Sequence, residues 1–155
     1  MARVTTKPGD LFRFPTGDGS YGYCQWLPHD VRFFAASTRE NLAPHVVIAL
    51  PVAFRVPVFR DTPSRYGWQK IGSAPVPRDC EEPQVYVKQD SITKKITVYR
   101  GEVESRDEKA ATQDEIARLE TLAVWAHPHI VERLLAVVAG VPSKFLESVR
   151  VKPQR

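Results

Sequence analysis

The sequence predicts an α+β fold, in which a strongly curved, mostly antiparallel sheet fills the N-terminal two-thirds and packs against two or three C-terminal helices. Two observations lead there. Between residues 10 and 100, short runs rich in Val, Ile, Phe, Tyr and Trp are separated by Pro, Gly and Asp, the pattern of strands and tight connections. Beyond residue 110 the apolar positions recur every three or four residues, the period of an amphipathic helix. With 155 residues, 43% hydrophobic and 26% charged, the chain is long enough to bury a core without disulfides or a metal. A single domain over residues 1–155, with its core between about 7 and 146, is the economical organisation.

Asp10–Phe14 and Tyr21–Leu27 flank Pro15-Thr16-Gly17-Asp18-Gly19-Ser20, whose glycines can take the positive φ angles of a tight reversal, so the chain opens on a hairpin. Strands are expected over Val31–Ala35, His45–Leu50 and Ala53–Phe59, with Pro51 and Pro57 confining parts of the last to an edge or a bulge. Trp68–Ile71 is a shorter one. Gln84–Lys88 and Ile96–Arg100 alternate their side chains across a polar connection and form a second hairpin. Thr112 and Glu115 have the spacing of a capping box, so a helix starts there. Its stripe of Ile116, Leu119, Leu122, Ala123 and Ala126 ends near His127. Pro128 suits the first turn of a second helix, whose Ile130, Val131, Leu134, Leu135 and Val138 run to Gly140. Because Ala136 and Val137 are apolar too, that helix is expected to be buried on most sides, against the sheet or against another molecule. A short third turn covers Ser143–Ser148.

Few chemistries survive a search of the sequence. No apolar run approaches the roughly 18 to 20 residues that span a bilayer, and the N-terminus lacks the apolar stretch of a signal peptide, so a cytoplasmic protein with no membrane partner is expected. Cys24 and Cys80 form no metal-binding pair and read as reduced thiols. Gly17-Asp18-Gly19-Ser20-Tyr21-Gly22 matches a dinucleotide pattern, but a strand rather than a helix follows it. His127 and His129 straddle a proline with no third ligand at a recognisable spacing, so neither a metal nor a cofactor is expected. His29 and His45 belong to no nucleophile or metalloprotease motif; no catalytic residue is assigned and no enzyme is expected. The net charge of +4 resides in residues 1–80, with ten Lys/Arg against six Asp/Glu, while residues 81–155 carry twelve of each. This basic half holds Tyr21, Tyr23, Trp26, Phe33 and Phe34, which leaves a small nucleic-acid-binding module as the alternative function. Strand alternation weakens it: Tyr21 and Tyr23 share one face, Cys24 and Trp26 the other, so at least one set is core.

Taken in order, several motifs resemble the Imm26 family of bacterial immunity proteins, found beside secreted polymorphic toxins. Lys7-Pro8-Gly9-Asp10-Leu11-Phe12-Arg13-Phe14-Pro15, followed by Asp18-Gly19-Ser20-Tyr21-Gly22-Tyr23, is similar to that family's Gly-Asp start and aromatic hairpin. Trp68-Gln69-Lys70-Ile71-Gly72 resembles its W-x-x-[IV]-G element. Lys88-Gln89-Asp90, Ile96 to Arg100, Leu119-Glu120, Ala123-Val124-Trp125 and Val131-Glu132-Arg133-Leu134 resemble later segments of some members. The resemblance implies a protein that binds and neutralises a cognate toxin domain. It gives Gly9, Asp10, Gly19, Trp68, Gly72 and Trp125 structural roles, with glycines permitting turns and tryptophans supplying buried area. Two surfaces suit a toxin. One is the acidic connector Glu102, Glu104, Asp107 and Glu108, able to imitate phosphate or substrate in a cationic active site; the other is the Arg60, Asp61, Arg65, Tyr66 loop, whose arginines can pair with carboxylates.

Overall fold

The computed structural model describes residues 3–100 and 109–152. Five strands, β1 (Asp10–Pro15), β2 (Tyr21–Trp26), β3 (Val31–Phe34), β4 (Val52–Val56) and β5 (Gln69–Ser73), form an antiparallel sheet in the order β4-β3-β2-β1-β5. A second sheet holds β6 (Tyr86–Gln89), β7 (Ile96–Tyr99) and β8 (Glu120–Thr121) in the order β7-β6-β8, with β8 parallel to β6. The helices are α1 (Pro44–Val47), α2 (Thr62–Arg65), α3 (Gln113–Arg118), α4 (His127–Ala139) and α5 (Lys144–Val149). The fold is therefore α+β and mostly antiparallel, with its strands divided between two sheets.

Local chemistry closes the first hairpin. Gly17 and Gly19 have φ of 90° and 83°, and the Asp18 carboxylate accepts from the Thr16 hydroxyl at 2.7 Å and the Ser20 amide at 3.0 Å. This sets Leu11 opposite Gln25 and Phe14 opposite Gly22. Because side chains alternate, the register sorts the sheet's residues onto two faces, and both are covered. One face carries Phe12, Phe14, Cys24, Val31, Phe33 and Phe54 against Trp68, Trp125, and Ile130 and Leu134 of α4. The other carries Leu11, Tyr23 and Phe34 against Val47 of α1. Tyr23, Phe33 and Phe34 are all 0% exposed, so these three of the five aromatics are core and offer no stacking platform.

Three expectations are corrected. His45–Leu50 is not a strand: Pro44 starts a single helical turn that buries Val47 and leaves Val46 and Ile48 exposed. The helix begun by the Thr112–Glu115 capping box ends at Arg118 instead of near His127. Beyond it Leu119 is extended, Glu120 and Thr121 pair with Tyr86 and Val87, and the Trp125 amide donates to the Pro57 carbonyl at 2.9 Å. Backbone partners supplied by β6 and by the end of β4 outweigh the helical period there. Finally, α4 ends at Gly140, in the left-handed conformation at φ 70°, but buries only Ile130, Arg133, Leu134 and Ala136, with Val137 and Val138 exposed. A buried arginine is tolerated in that helix because Glu120 accepts from its Nη1 and Nη2 at 2.6 and 2.9 Å.

Candidate functional site

A cleft of about 880 Å³ opens where the β2–β3 turn, the N-terminal segment and the chain after β4 meet. Its polar lining includes Arg3, His29, Asp30, Arg60, Asp61 and Ser64. Leu27 accepts no freedom here: its amide donates to the Asp30 carbonyl at 2.8 Å, which tightens the β2–β3 turn. The Val4 amide donates to the Ser64 hydroxyl at 2.8 Å and ties the N-terminal segment across the mouth to α2.

Asp30 lies beneath this surface, its side chain 1% exposed. One carboxylate oxygen accepts from Arg55 Nε at 2.6 Å and the other from the Tyr86 hydroxyl at 2.9 Å. Burial and the adjacent Asp30 charge push the Tyr86 phenol far above its ordinary pKa, so it remains a donor throughout the physiological range. The bonds leave Asp30 as a fixed anchor between the two sheets rather than an acid or base for chemistry.

Arg60 and Asp61 line the cleft and are exposed. Arg65 and Tyr66, from the same loop, lie outside its lining. Arg65 sits 5.9 Å from the Tyr66 ring centroid, and Tyr66 stacks on His127 at 4.5 Å with an interplanar angle of 14°. Trp68, 2% exposed, donates from Nε1 to His127 Nδ1 at 3.0 Å and stacks on Phe14 at 4.9 Å. Burial holds the His127 pKa below its ordinary value, consistent with a neutral imidazole that accepts from Trp68. The loop thus presents three charged residues, Arg60, Asp61 and Arg65, to solvent from a base pinned by aromatic packing. Glu102, Glu104, Asp107 and Glu108 lie outside the described residues.

Apart from Gly19, which lies in open space in the hairpin turn, the positions given structural roles occupy tight places. Gly9 has φ 97°, and a Cβ there would meet the Ala74 carbonyl oxygen at 2.8 Å. Asp10, 1% exposed, accepts from the Lys7 amide at 3.0 Å and pairs with Lys70 at 2.9 Å. A Cβ at Gly72 would stand 3.0 Å from Pro44, and Trp125 packs edge-on against Phe145 at 4.9 Å. Gly22, given no structural role from the sequence, is the tightest of these glycines: its Cβ would fall 2.5 Å from the Phe14 ring and 2.6 Å from Leu134. Among the described residues no group of His, Cys, Asp and Glu is placed to hold a metal ion, and no helix is long and apolar enough to cross a membrane. His129 stacks on Phe145 at 3.6 Å, away from the Trp68–His127 pair, and both cysteines are buried and free.

Compared with known proteins, the chain matches the family model Immunity protein 26, Imm26, over residues 7–97, more than half its length. The span covers the whole five-stranded sheet, both loops of the cleft, and β6; the resembling segments at 119–120, 123–125 and 131–134 lie beyond it. No curated protein and no solved structure matches.

Proposed function

Since the chain belongs to the Imm26 family, we propose that it is an immunity protein that neutralises a cognate secreted toxin domain by stoichiometric binding in the cytoplasm, without turnover. The family match over residues 7–97 is the observation that carries this reading. An inhibitor of this kind needs an interface of about 1,600 Å² with a few rigid arginine or aromatic anchors. The Arg60–Tyr66 loop supports that requirement, because its charged residues are exposed while Tyr66 is held on His127. We place the toxin contact at this loop and its cleft, with the acidic connector Glu102, Glu104, Asp107 and Glu108 as the second contact on sequence grounds.

The experiment is co-expression with the toxin domain encoded beside this chain, followed by titration of the purified pair. Rescue of growth and saturation at one chain per toxin are expected. Arg60→Glu should weaken the complex by tenfold or more and Asp61→Lys should alter it as well, while charge reversal of the four connector acids tests the second contact. Lack of rescue, or sustained conversion of a small substrate abolished by one side-chain change, would overturn the reading.

A further inference from the structure

A second cleft, of about 530 Å³, follows the outer edge of β4 and is lined by Arg32, Arg55, Arg118 and Arg133 together with Asp79 and Glu120. Three of the four guanidiniums are matched: Arg55 to Asp30, Arg118 to Asp114 and Arg133 to Glu120. Arg32 is different. It stands directly opposite Arg55 in the β3–β4 register, where like charges repel. Its Nε donates to the neutral Oε1 of Gln25 at 2.8 Å, and its guanidinium lies over the Phe34 ring at 5.0 Å. Among the described residues no carboxylate pairs with it and neither Nη group finds an acceptor.

Its position is nevertheless fixed from below. Gln25 is 0% exposed, and its Nε2 donates to the Ala74 carbonyl at 3.0 Å, which leaves its amide oxygen for Arg32. The half-buried guanidinium is thus held in place with unused donors, as a bidentate site for an oxyanion requires. Burial, the strongest effect, and the weaker Arg55 charge disfavour the cation, which Asp79 nearby partly supports. An entering anion relieves both.

We propose that Arg32 receives a single carboxylate, the side chain of an aspartate or glutamate of the partner protein, in the cleft beside β4. The inference rests on the immunity reading for the partner being a protein, and adds the chemistry that this partner must present. A run of phosphates fits poorly, because Asp79 and Glu120 flank the one unmatched guanidinium and would repel neighbouring charges. Val52, Val85 and Leu119 supply apolar wall beside it, which suits an amino-acid side chain.

The test is a titration of the isotope-labelled full chain with an end-blocked alanine pentapeptide carrying one central glutamate and, in parallel, with a hexathymidylate oligonucleotide, following the arginine Nε–Hε resonances. The peptide should shift the Arg32 resonance saturably, and Arg32→Gln should weaken binding at least tenfold. Arg32→Lys, which keeps the charge and the fold but loses the fork, should bind several-fold more weakly, and serves if Arg32→Gln fails to fold. A silent Arg32 resonance, undiminished binding by these variants, or equal binding of the oligonucleotide at Arg32 would overturn the proposal. No toxin enters this assay: rescue of cells with a silent Arg32 defeats this inference alone, whereas peptide binding without rescue defeats the immunity reading.

Discussion

His127 couples the Arg60–Tyr66 loop to the core through two rings. Its imidazole accepts from Trp68 and carries Tyr66 on its face, and it sits at the first position of α4, where a positive charge opposes the helix dipole. Protonation at Nδ1 removes the acceptor. Because burial lowers the folded-state pKa, the unfolded chain binds the proton first as pH falls. The associated stability is therefore complete above about pH 6.5 and is lost as pH drops below it towards the folded-state value. Urea midpoints measured from pH 7.5 to 5 should show this loss, and His127→Gln, which can still accept from Trp68, should flatten it. A second residue-scale outcome concerns Gly22. Gly22→Ala places a methyl group into the Phe14 ring and Leu134, so overpacking should cost about 1–3 kcal/mol in denaturant unfolding.

At the scale of elements, Glu120 shows why β8, which joins the expected β6–β7 hairpin, escaped prediction. It reads as one charged residue within a helical period, yet it leaves the helix to join β6 and to hold Arg133. Arg133 in turn lies 4.3 Å from the Phe54 ring centroid and 4.9 Å from that of Trp125, and the buried cation depends on that carboxylate. Glu120→Ala should cost about 3 kcal/mol, because the guanidinium is then left buried and unpaired. By contrast, Thr112→Ala removes the α3 cap on an exposed helix and should cost about 1 kcal/mol or less, read as faster amide exchange in that segment. The first hairpin and the capping box were legible because the groups that form them lie within a few residues of one another. Helix α1, the end of α3 and β8 depend on distant partners, which no local period records.

Across the whole molecule, the Asp30 carboxylate connects the β2–β3 turn, Arg55 of β4 and Tyr86 of β6. We propose on that basis that the two sheets unfold as one domain. Tryptophan fluorescence and far-ultraviolet circular dichroism should give coincident transitions, and Asp30→Ala, which strands Arg55 beside Arg32, should cost about 3 kcal/mol and separate them. Arg60 and Asp61 were legible as surface charge in a loop before a tryptophan. The arrangement of Gln25, Asp30, Arg32 and Arg55 was not, since buried polar side chains look in sequence like any others and only the register brings them together.

Covering the five-stranded sheet on both sides separates two kinds of inheritance. Interior positions such as Phe14, Gly22 and Trp68 constrain one another, so drift there is penalised in every lineage. Rim positions such as Arg60 and Asp61 can change without disturbing the packed layers. If the chain is the immunity protein proposed above, relatives confronting different adversaries should agree inside and diverge at the rim, and exchanging rim residues between two such chains should transfer protection from one adversary to the other.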